Sequence, residues 1–139
     1  LGTVTITVGP RACAGSSVSY GYGCAAGDGS VPTLTASGCP VGGQQVDINL
    51  DGGPSTGFAV MALGYDRGIY ELNVDGCTLR VGTLLATTPL LALTAGSTTH
   101  SIAIPTWLGD FDLTAQGFFF DAGTTRGYAA TAGLEVRMR

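Results

Sequence analysis

The last six residues of the chain, 134–139, read Leu-Glu-Val-Arg-Met-Arg, and this stretch indicates the fold. Apolar Leu134, Val136 and Met138 alternate with charged residues, which is the pattern of a β-strand that buries one face. Residues 1–8 (Leu-Gly-Thr-Val-Thr-Ile-Thr-Val) show the same alternation, with Val4, Ile6 and Val8 on one face and threonines on the other. Both ends of the chain therefore predict strands.

Short segments rich in β-branched and aromatic residues lie between these ends, separated by Gly, Pro and Asp, and apolar residues nowhere keep a helical period. Asp75-Gly76 is typical of a tight hairpin turn between the segments on either side of it. We therefore expect an all-β fold, a Greek-key-like β-sandwich of two antiparallel sheets with about ten strands, cross-linked by disulfides. The predicted strands are 3–8, 17–22, 32–36, 45–50, 57–63, 69–74, 77–81, 89–94, 98–104, 111–121 and 127–138.

The composition predicts one domain and restricts its partners. The chain has 139 residues, of which 12% are charged, and its net charge is −4. Its six basic residues are all arginines dispersed along the chain, which argues against nucleic acid and against an anionic membrane surface as a partner. No apolar run approaches the roughly 20 residues of a membrane span, so we expect no membrane insertion.

The four cysteines, Cys13, Cys24, Cys39 and Cys77, form no C-x-x-C pair, so two disulfides are favoured over a zinc site. Disulfides predict an oxidising compartment, and we expect an extracellular or cell-surface protein whose signal peptide has been removed. The spacing favours Cys13–Cys24, closing a short hairpin, with Cys39–Cys77. Cys24–Cys77 is nearly as favoured.

Some predicted strands are apolar on both faces, which is unusual for a two-sheet sandwich. Residues 58–63, the stretch from Leu84-Leu85 through Leu90-Leu91, and residues 118–120 are nearly continuous apolar runs. Gly117 before the last run indicates a bulge or a close backbone approach. Either a long loop of the same chain or a neighbouring subunit covers the extra apolar surface. The sequence favours the loop and leaves both possibilities open.

Several short motifs carry a resemblance to a known group of proteins. They are Gly23-Cys24, Gly38-Cys39-Pro40, Ala62-Leu63-Gly64, Gly76-Cys77-Thr78-Leu79, Ile104-Pro105 and Gly133-Leu134-Glu135-Val136. In these motifs the stretch 22–139 resembles a β-rich domain of uncharacterised secreted proteins of planctomycetes and myxobacteria. Turn glycines and apolar strand positions dominate the motifs, so the resemblance implies a shared fold and no particular activity. No catalytic residue is carried over.

The first 18 residues lie ahead of this resemblance. We therefore divide the chain into an N-terminal strand extension, residues 1–18, and a β-sandwich domain, residues 19–139. An extended segment can add to an exposed sheet edge, where its alternate side chains fill pockets. Val4, Ile6 and Val8 would be those side chains if residues 1–8 act as a donor strand. The alternative is that this segment pairs within its own sheet.

No arrangement of residues indicates an enzyme. His100 is the only imidazole, and Ser97, Ser101, Asp110 and Asp112 are its neighbours in sequence, but no Gly-x-Ser-x-Gly elbow is present. We expect His100 to be a strand residue that shares a face with Ile102. A structural calcium held by Asp110, Asp112 or Asp121 is conceivable but not favoured, and we expect no cofactor.

Trp107 is the candidate ligand platform. It follows Pro105 in a predicted loop. Together with tyrosines from elsewhere in the chain it could form an aromatic platform for sugar rings; these are Tyr20, Tyr22, Tyr65, Tyr70 and Tyr128. The favoured interpretation is instead that its ring packs into one end of the sandwich and anchors the loop.

These features predict a non-catalytic extracellular structural protein, a self-assembling subunit of the cell surface or of a filament, whose residues 1–8 pair with the next copy. Its partners would be other copies of itself, forming a homopolymer. An uncharged strand such as residues 1–8 is an aggregation hazard for a monomer, which supports this prediction. The alternative is a secreted carbohydrate-binding β-sandwich module whose partner is a polysaccharide.

Overall fold

The computed structural model describes residues 13–71 and 77–139, and in them it places twelve strands and no helix. The strands are β1 (Ser16–Tyr20), β2 (Thr33–Ser37), β3 (Gln45–Asp51), β4 (Phe58–Gly64), β5 (Arg67–Glu71), β6 (Thr78–Val81), β7 (Leu84–Thr87), β8 (Leu91–Ala92), β9 (Thr98–Ala103), β10 (Phe111–Phe120), β11 (Tyr128–Ala130) and β12 (Gly133–Met138).

Two of the three sheets form the predicted sandwich. The large sheet has seven strands in the order β1-β12-β10-β4-β7, with β11 added to β10 and β8 added to β4. The small sheet has the order β2-β3-β9. The chain crosses between the two sheets from β1 to β2, from β3 to β4, from β8 to β9 and from β9 to β10. Every strand pair is antiparallel. The prediction of an all-β, Greek-key-like sandwich is confirmed.

The core of the sandwich consists of the alternate side chains that point from each sheet toward the other. It includes Val46, Ile48 and Leu50 of the small sheet and Met61, Ala115, Phe119, Leu134 and Val136 of the large sheet. Each large apolar side chain that is fully buried contributes about 1.5–3 kcal/mol. At Gly117 the sheets approach so closely that a Cβ would lie 2.5 Å from Leu50 Cδ1. The close approach expected at Gly117 is therefore found.

The hairpin β5–β6 forms a third layer on the outer face of the large sheet. Thr114 and Gln116 of β10 point outward, away from the core, yet both are fully buried. The side chain of Val81 in β6 is also fully buried and lies against Gly64 of β4. A segment of the same chain thus covers the middle of this face, as the sequence favoured, but it leaves the outward-facing Phe58 and Phe120 of the two apolar runs exposed.

Polar side chains of β10 bind this hairpin through its backbone. Gln116 Oε1 accepts a hydrogen bond from the Arg80 N–H (2.8 Å), and Gln116 Nε2 donates to the carbonyls of Thr78 (3.0 Å) and Thr131 (2.9 Å). Thr114 Oγ1 donates to the carbonyl of Asp66 at 2.9 Å. Buried polar groups are tolerated when they are hydrogen-bonded, so these contacts fix where the hairpin lies.

A charged cluster holds the other side of the hairpin. Arg67 of β5 donates to Glu135 of β12 at 3.1 Å and stacks 4.4 Å from the ring centroid of Tyr20 in β1. The hydrogen bond from Arg67, reinforced by one from Arg137 (2.8 Å), lowers the pKa of the Glu135 carboxyl. The Tyr20 hydroxyl donates to the carbonyl of Arg80, and burial raises the pKa of Tyr20 to about 12.

The two disulfides are Cys13–Cys39 and Cys24–Cys77, with Cα–Cα distances of 5.7 and 5.4 Å. The favoured pairing of Cys13 with Cys24 and of Cys39 with Cys77 is therefore wrong, and the alternative Cys24–Cys77 is correct. Cys13 and Cys24 stand before and after the extended strand β1, whose five residues alone span roughly 17 Å. A disulfide requires Cα atoms within about 7 Å, which a strand between them prevents.

Several strand predictions differ from the structure. β7 is absent from the predicted strand ranges, because the pair of leucines at its start, Leu84 and Leu85, shows no alternation. The expectation that the apolar run from Leu84 to Leu91 is buried on both faces is wrong, since Leu84, Leu85 and Leu90 are exposed. The predicted strand 127–138 is divided into β11 and β12 at Thr131, whose N–H bonds to the carbonyl of Gly117. β5 and β6 pair as expected, and the proposed turn at Asp75-Gly76 lies outside the described residues.

Candidate functional site

The predicted pairing residues Val4, Ile6 and Val8 lie outside the described residues, but the edges that could receive a strand are described. The large sheet ends in β1 and β11 on one side and in β7 and β8 on the other. The small sheet ends in β2 and β9. The extension predicted as residues 1–18 overlaps β1, which pairs with β12 from Ser16 onward.

One side of the sandwich is open and uncharged. β8 lies against β9 there, so the β7 edge of the large sheet and the β9 edge of the small sheet run along the same side. All four residues of β7 are exposed, Leu84 by 57% and Leu85 by 42%. Natural edge strands are usually protected by charge or proline, and β7 has neither.

A groove of about 410 Å³ lies on this side, between β9 and the large sheet. One water occupies about 30 Å³, so the groove is far larger than a single-water packing defect. Apolar side chains dominate its lining, and the lining contains no Asp, Glu, Lys or Arg side chain. The lining residues are Leu63, His100, Ser101, Ile102, Ala103, Ile104, Pro105, Leu108, Phe111, Leu113 and Met138.

His100 lies in the lining of this groove, on the same side of β9 as Ile102, as the alternation predicted. Its neighbours in sequence are bonded elsewhere. Ser101 Oγ donates to Asp47 at 2.7 Å, and Ser97 Oγ donates to Asp51 at 2.6 Å. The described residues therefore do not join these hydroxyls to His100 in a nucleophile–base pair.

The candidate calcium ligands are separated by the length of β10. Asp110 and Asp112 stand at its start, where Asp112 pairs with Arg139 at 2.7 Å. Asp121 stands at its end, and its carboxylate accepts hydrogen bonds from the N–H groups of Gly27 (2.7 Å) and Gly123 (2.9 Å). Among the residues that the structure covers, no group of three or more metal-ligating side chains converges.

Trp107 is 79% exposed, so the interpretation that its ring packs into the end of the sandwich is wrong. The loop turns at Pro105, whose carbonyl accepts a hydrogen bond from the Leu108 N–H at 3.1 Å. Leu108 packs against the core in place of Trp107, which is left facing solvent. Tyr22 is similarly exposed, whereas Tyr65 packs edge-on against Phe111 with ring centroids 5.5 Å apart.

A second groove, of about 500 Å³, lies on the outer face of the large sheet and was not predicted. Val60, Phe118, Phe120, Arg126 and Tyr128 are among the residues that line it. It lies where the hairpin β5–β6 no longer covers β4 and β10. The continuous run Phe118-Phe119-Phe120 was its only signal in the sequence, because it puts aromatic rings on both faces of β10.

The described part of the chain contains no helix that is both long and apolar enough to span a membrane. Comparisons with family models, with curated proteins and with solved structures find no match to the chain. The resemblance to secreted proteins of planctomycetes and myxobacteria therefore stays a prediction. The two disulfides suggest an oxidising compartment.

Proposed function

We propose that this protein is a non-catalytic structural domain of the extracellular space or cell surface, and that it assembles with copies of itself through residues 1–8. The observation that carries the proposal is the uncharged open side of the sandwich, where β7 and β9 end their sheets. A strand added to such an edge gains main-chain hydrogen bonds and buries its alternate side chains.

Residues 1–8 have the properties of such a strand. They contain no charged residue, and Val4, Ile6 and Val8 give them one apolar face. The disulfides support a location outside the reducing cytoplasm, where a cross-linked domain keeps its covalent links. Low charge and a threonine-rich surface are also consistent with a durable subunit.

Light scattering of the intact chain and of a chain lacking residues 1–9 tests the proposal. We expect the intact chain to form assemblies larger than a monomer, visible by electron microscopy, and the shortened chain to be a folded monomer. A matched pair of triple variants separates the two faces. V4S/I6S/V8S should abolish assembly, whereas T3S/T5S/T7S should preserve it. An intact chain that is monomeric, with a deletion that merely unfolds it, would contradict the proposal.

The exposure of Trp107 favours a second candidate, a secreted carbohydrate-binding module. An exposed indole can stack on a sugar ring, and Trp107 is the single tryptophan of the chain. Titration with soluble polysaccharides should then change the fluorescence of Trp107. A fluorescence signal that no polysaccharide alters would exclude this candidate.

A further inference from the structure

The backbone of β9 leaves hydrogen-bonding groups free on the open side of the sandwich. Ile104, directly after β9, directs its N–H to the Gln44 carbonyl (2.9 Å) and its carbonyl to the Gly43 N–H (2.8 Å), both on the β3 side. Successive residues of a strand direct these groups to opposite sides. Ser101 and Ala103 therefore present their N–H and carbonyl groups at the free edge of β9.

The groove beside this edge matches the composition of residues 1–8. Ile102 and Ile104 line it from the small sheet, and Leu63, Phe111 and Met138 line it from the large sheet. Neither the groove nor residues 1–8 contain an Asp, Glu, Lys or Arg side chain. The second groove, on the outer face of the large sheet, includes the guanidinium of Arg126 and offers no strand edge of the small sheet.

The chain that precedes the described residues starts close to one end of this groove. Cys13 is bonded to Cys39, and the carbonyl of the next residue, Pro40, accepts a hydrogen bond from the Arg139 N–H (3.3 Å). Arg139 follows Met138, which lines the groove. Cys13, which residues 1–12 precede in sequence, therefore lies toward the end of the groove where β9 finishes.

The position of Cys13 favours binding of residues 4–8 from a second copy in this groove over binding of the same residues from the same molecule. Residues 9–12 can span at most about 18 Å between Val8 and Cys13. If the chain's own segment entered from the end where β9 finishes, it would run parallel to β9. All described strand pairs are antiparallel, and a segment from another molecule can adopt that orientation without this restriction.

We propose that the groove beside β9 accepts residues 4–8 of a second copy as an added antiparallel strand. Val4, Ile6 and Val8 would then lie against Leu63 and the other apolar side chains of the groove. The inference rests on the proposed function, because it names the acceptor for the same assembly.

Two complementary chains test the inference. The first lacks residues 1–9 and keeps the groove. The second keeps residues 1–9 but carries Ala103→Pro, which removes an N–H from the free edge and leaves the β3–β9 pairing intact. We expect each to be a monomer alone, and an equimolar mixture to form a heterodimer in size-exclusion chromatography with light scattering.

A charge in the groove provides an independent variant. In the shortened chain, Leu108→Glu should weaken heterodimer formation at least tenfold, because Leu108 lines the groove. The matched control is Leu90→Glu, an exposed leucine outside the groove lining, which should change the affinity less than twofold. Circular dichroism and intact disulfides confirm that each variant is folded.

The possible failures are distinguishable. If the intact chain assembles and Ala103→Pro and Leu108→Glu assemble equally well, the acceptor is elsewhere and the proposed function stands. If the intact chain is a monomer and removal of residues 1–9 destabilises it, the segment binds within its own molecule. Both proposals are then wrong.

Discussion

The outer faces of the two sheets carry similar residue types in opposite environments. On the small sheet, threonine, serine, asparagine and aspartate side chains lie at least partly in solvent and bond to one another, as between Thr99 and Asn49 (2.9 Å). On the large sheet, Thr114 and Gln116 occupy equivalent outward positions of β10 and are fully buried. The alternation of polar and apolar residues along a strand thus indicates which side chains point away from the core. It does not indicate whether those side chains are solvent-exposed or covered by another part of the chain.

The cause of the difference is the segment between β4 and β7. These two strands pair directly, with Gly64 opposite Leu84, and the intervening residues fold back as the hairpin β5–β6. The small sheet has no such segment among the described residues. The following variants remove contacts between the hairpin and the large sheet. Each is paired with a control variant elsewhere in the protein, so that the two outer faces can be compared.

The disulfide that anchors the hairpin should give the largest effect. Cys24–Cys77 closes a sequence separation of 53 residues, against 26 for Cys13–Cys39. We expect C24A/C77A to lower the free energy of unfolding by about 4 kcal/mol and C13A/C39A by about 3.5 kcal/mol, since longer loops lose more entropy. Urea denaturation measures both. Hydrogen exchange of β6 should accelerate only in C24A/C77A, and equal acceleration in both variants would contradict the anchoring role.

Gln116→Ala should come next. It leaves the Arg80 N–H and the carbonyls of Thr78 and Thr131 without their partner, and each unsatisfied buried group costs about 1–3 kcal/mol. Two of these three hydrogen bonds are only partly buried, so we expect a loss of about 3 kcal/mol in urea denaturation.

Gln45→Ala is the matched control for that variant. Gln45 is an exposed amide of the small sheet that donates to Asp47, and its removal should cost within about 0.5 kcal/mol. Losses of similar size for the two glutamines would show that the hairpin does not protect the outer face of the large sheet.

A smaller effect is expected from removing one hydroxyl on each sheet. Thr114→Val deletes the hydrogen bond to the Asp66 carbonyl beneath the hairpin and should cost about 1–2 kcal/mol. Thr35→Val, on the exposed face of β2, should change stability by no more than about 0.5 kcal/mol. The same denaturation assay compares them, and a larger loss at Thr35 would reverse the comparison.

The smallest effect concerns acid stability. The pKa of Glu135 is lowered in the folded protein, chiefly by its hydrogen bond from Arg67. The associated stability is therefore present above the ordinary value of 4.5 and is lost as the pH falls below it toward the lowered pKa. Glu135→Gln should flatten the dependence of unfolding on pH in this acid range.

Asp47→Asn is the control for the acid range. The pKa of Asp47 is also lowered, mainly by a hydrogen bond from Ser101, but this carboxylate lies at the solvent-exposed surface of the small sheet. We expect it to alter the pH profile less than Glu135→Gln does. Thermal unfolding measured at intervals from pH 6 to pH 2 gives both profiles.

The fold class could be predicted from the sequence because strand alternation is a local property. The alternation of Val46, Ile48 and Leu50 matches the buried face of β3, and Asp75-Gly76 correctly indicated that β5 and β6 pair. The disulfide pairing could not be predicted, because it depends on which loops meet in space. Cys24 meets Cys77 only because the hairpin folds over the large sheet.

The candidate site was predicted less completely than the fold. The apolar face of residues 1–8 is visible in the sequence, but the groove depends on Leu63, Ile102 and Met138, which come from three separate strands. Trp107 shows the same limit. Whether its ring or that of a neighbour turns inward depends on the turn at Pro105, which directs Leu108 to the core.

Because β4 pairs directly with β7, the hairpin between them is a suitable site for inserting a foreign peptide. A peptide epitope inserted between Glu71 and Cys77 would leave the order and register of the two main sheets unchanged, since those residues join only β5 to β6. The Cys24–Cys77 bond would keep the graft attached to the body of the domain. If copies of the protein assemble through the groove beside β9, each copy would carry one epitope. The epitopes would then be displayed at a regular spacing along the assembly.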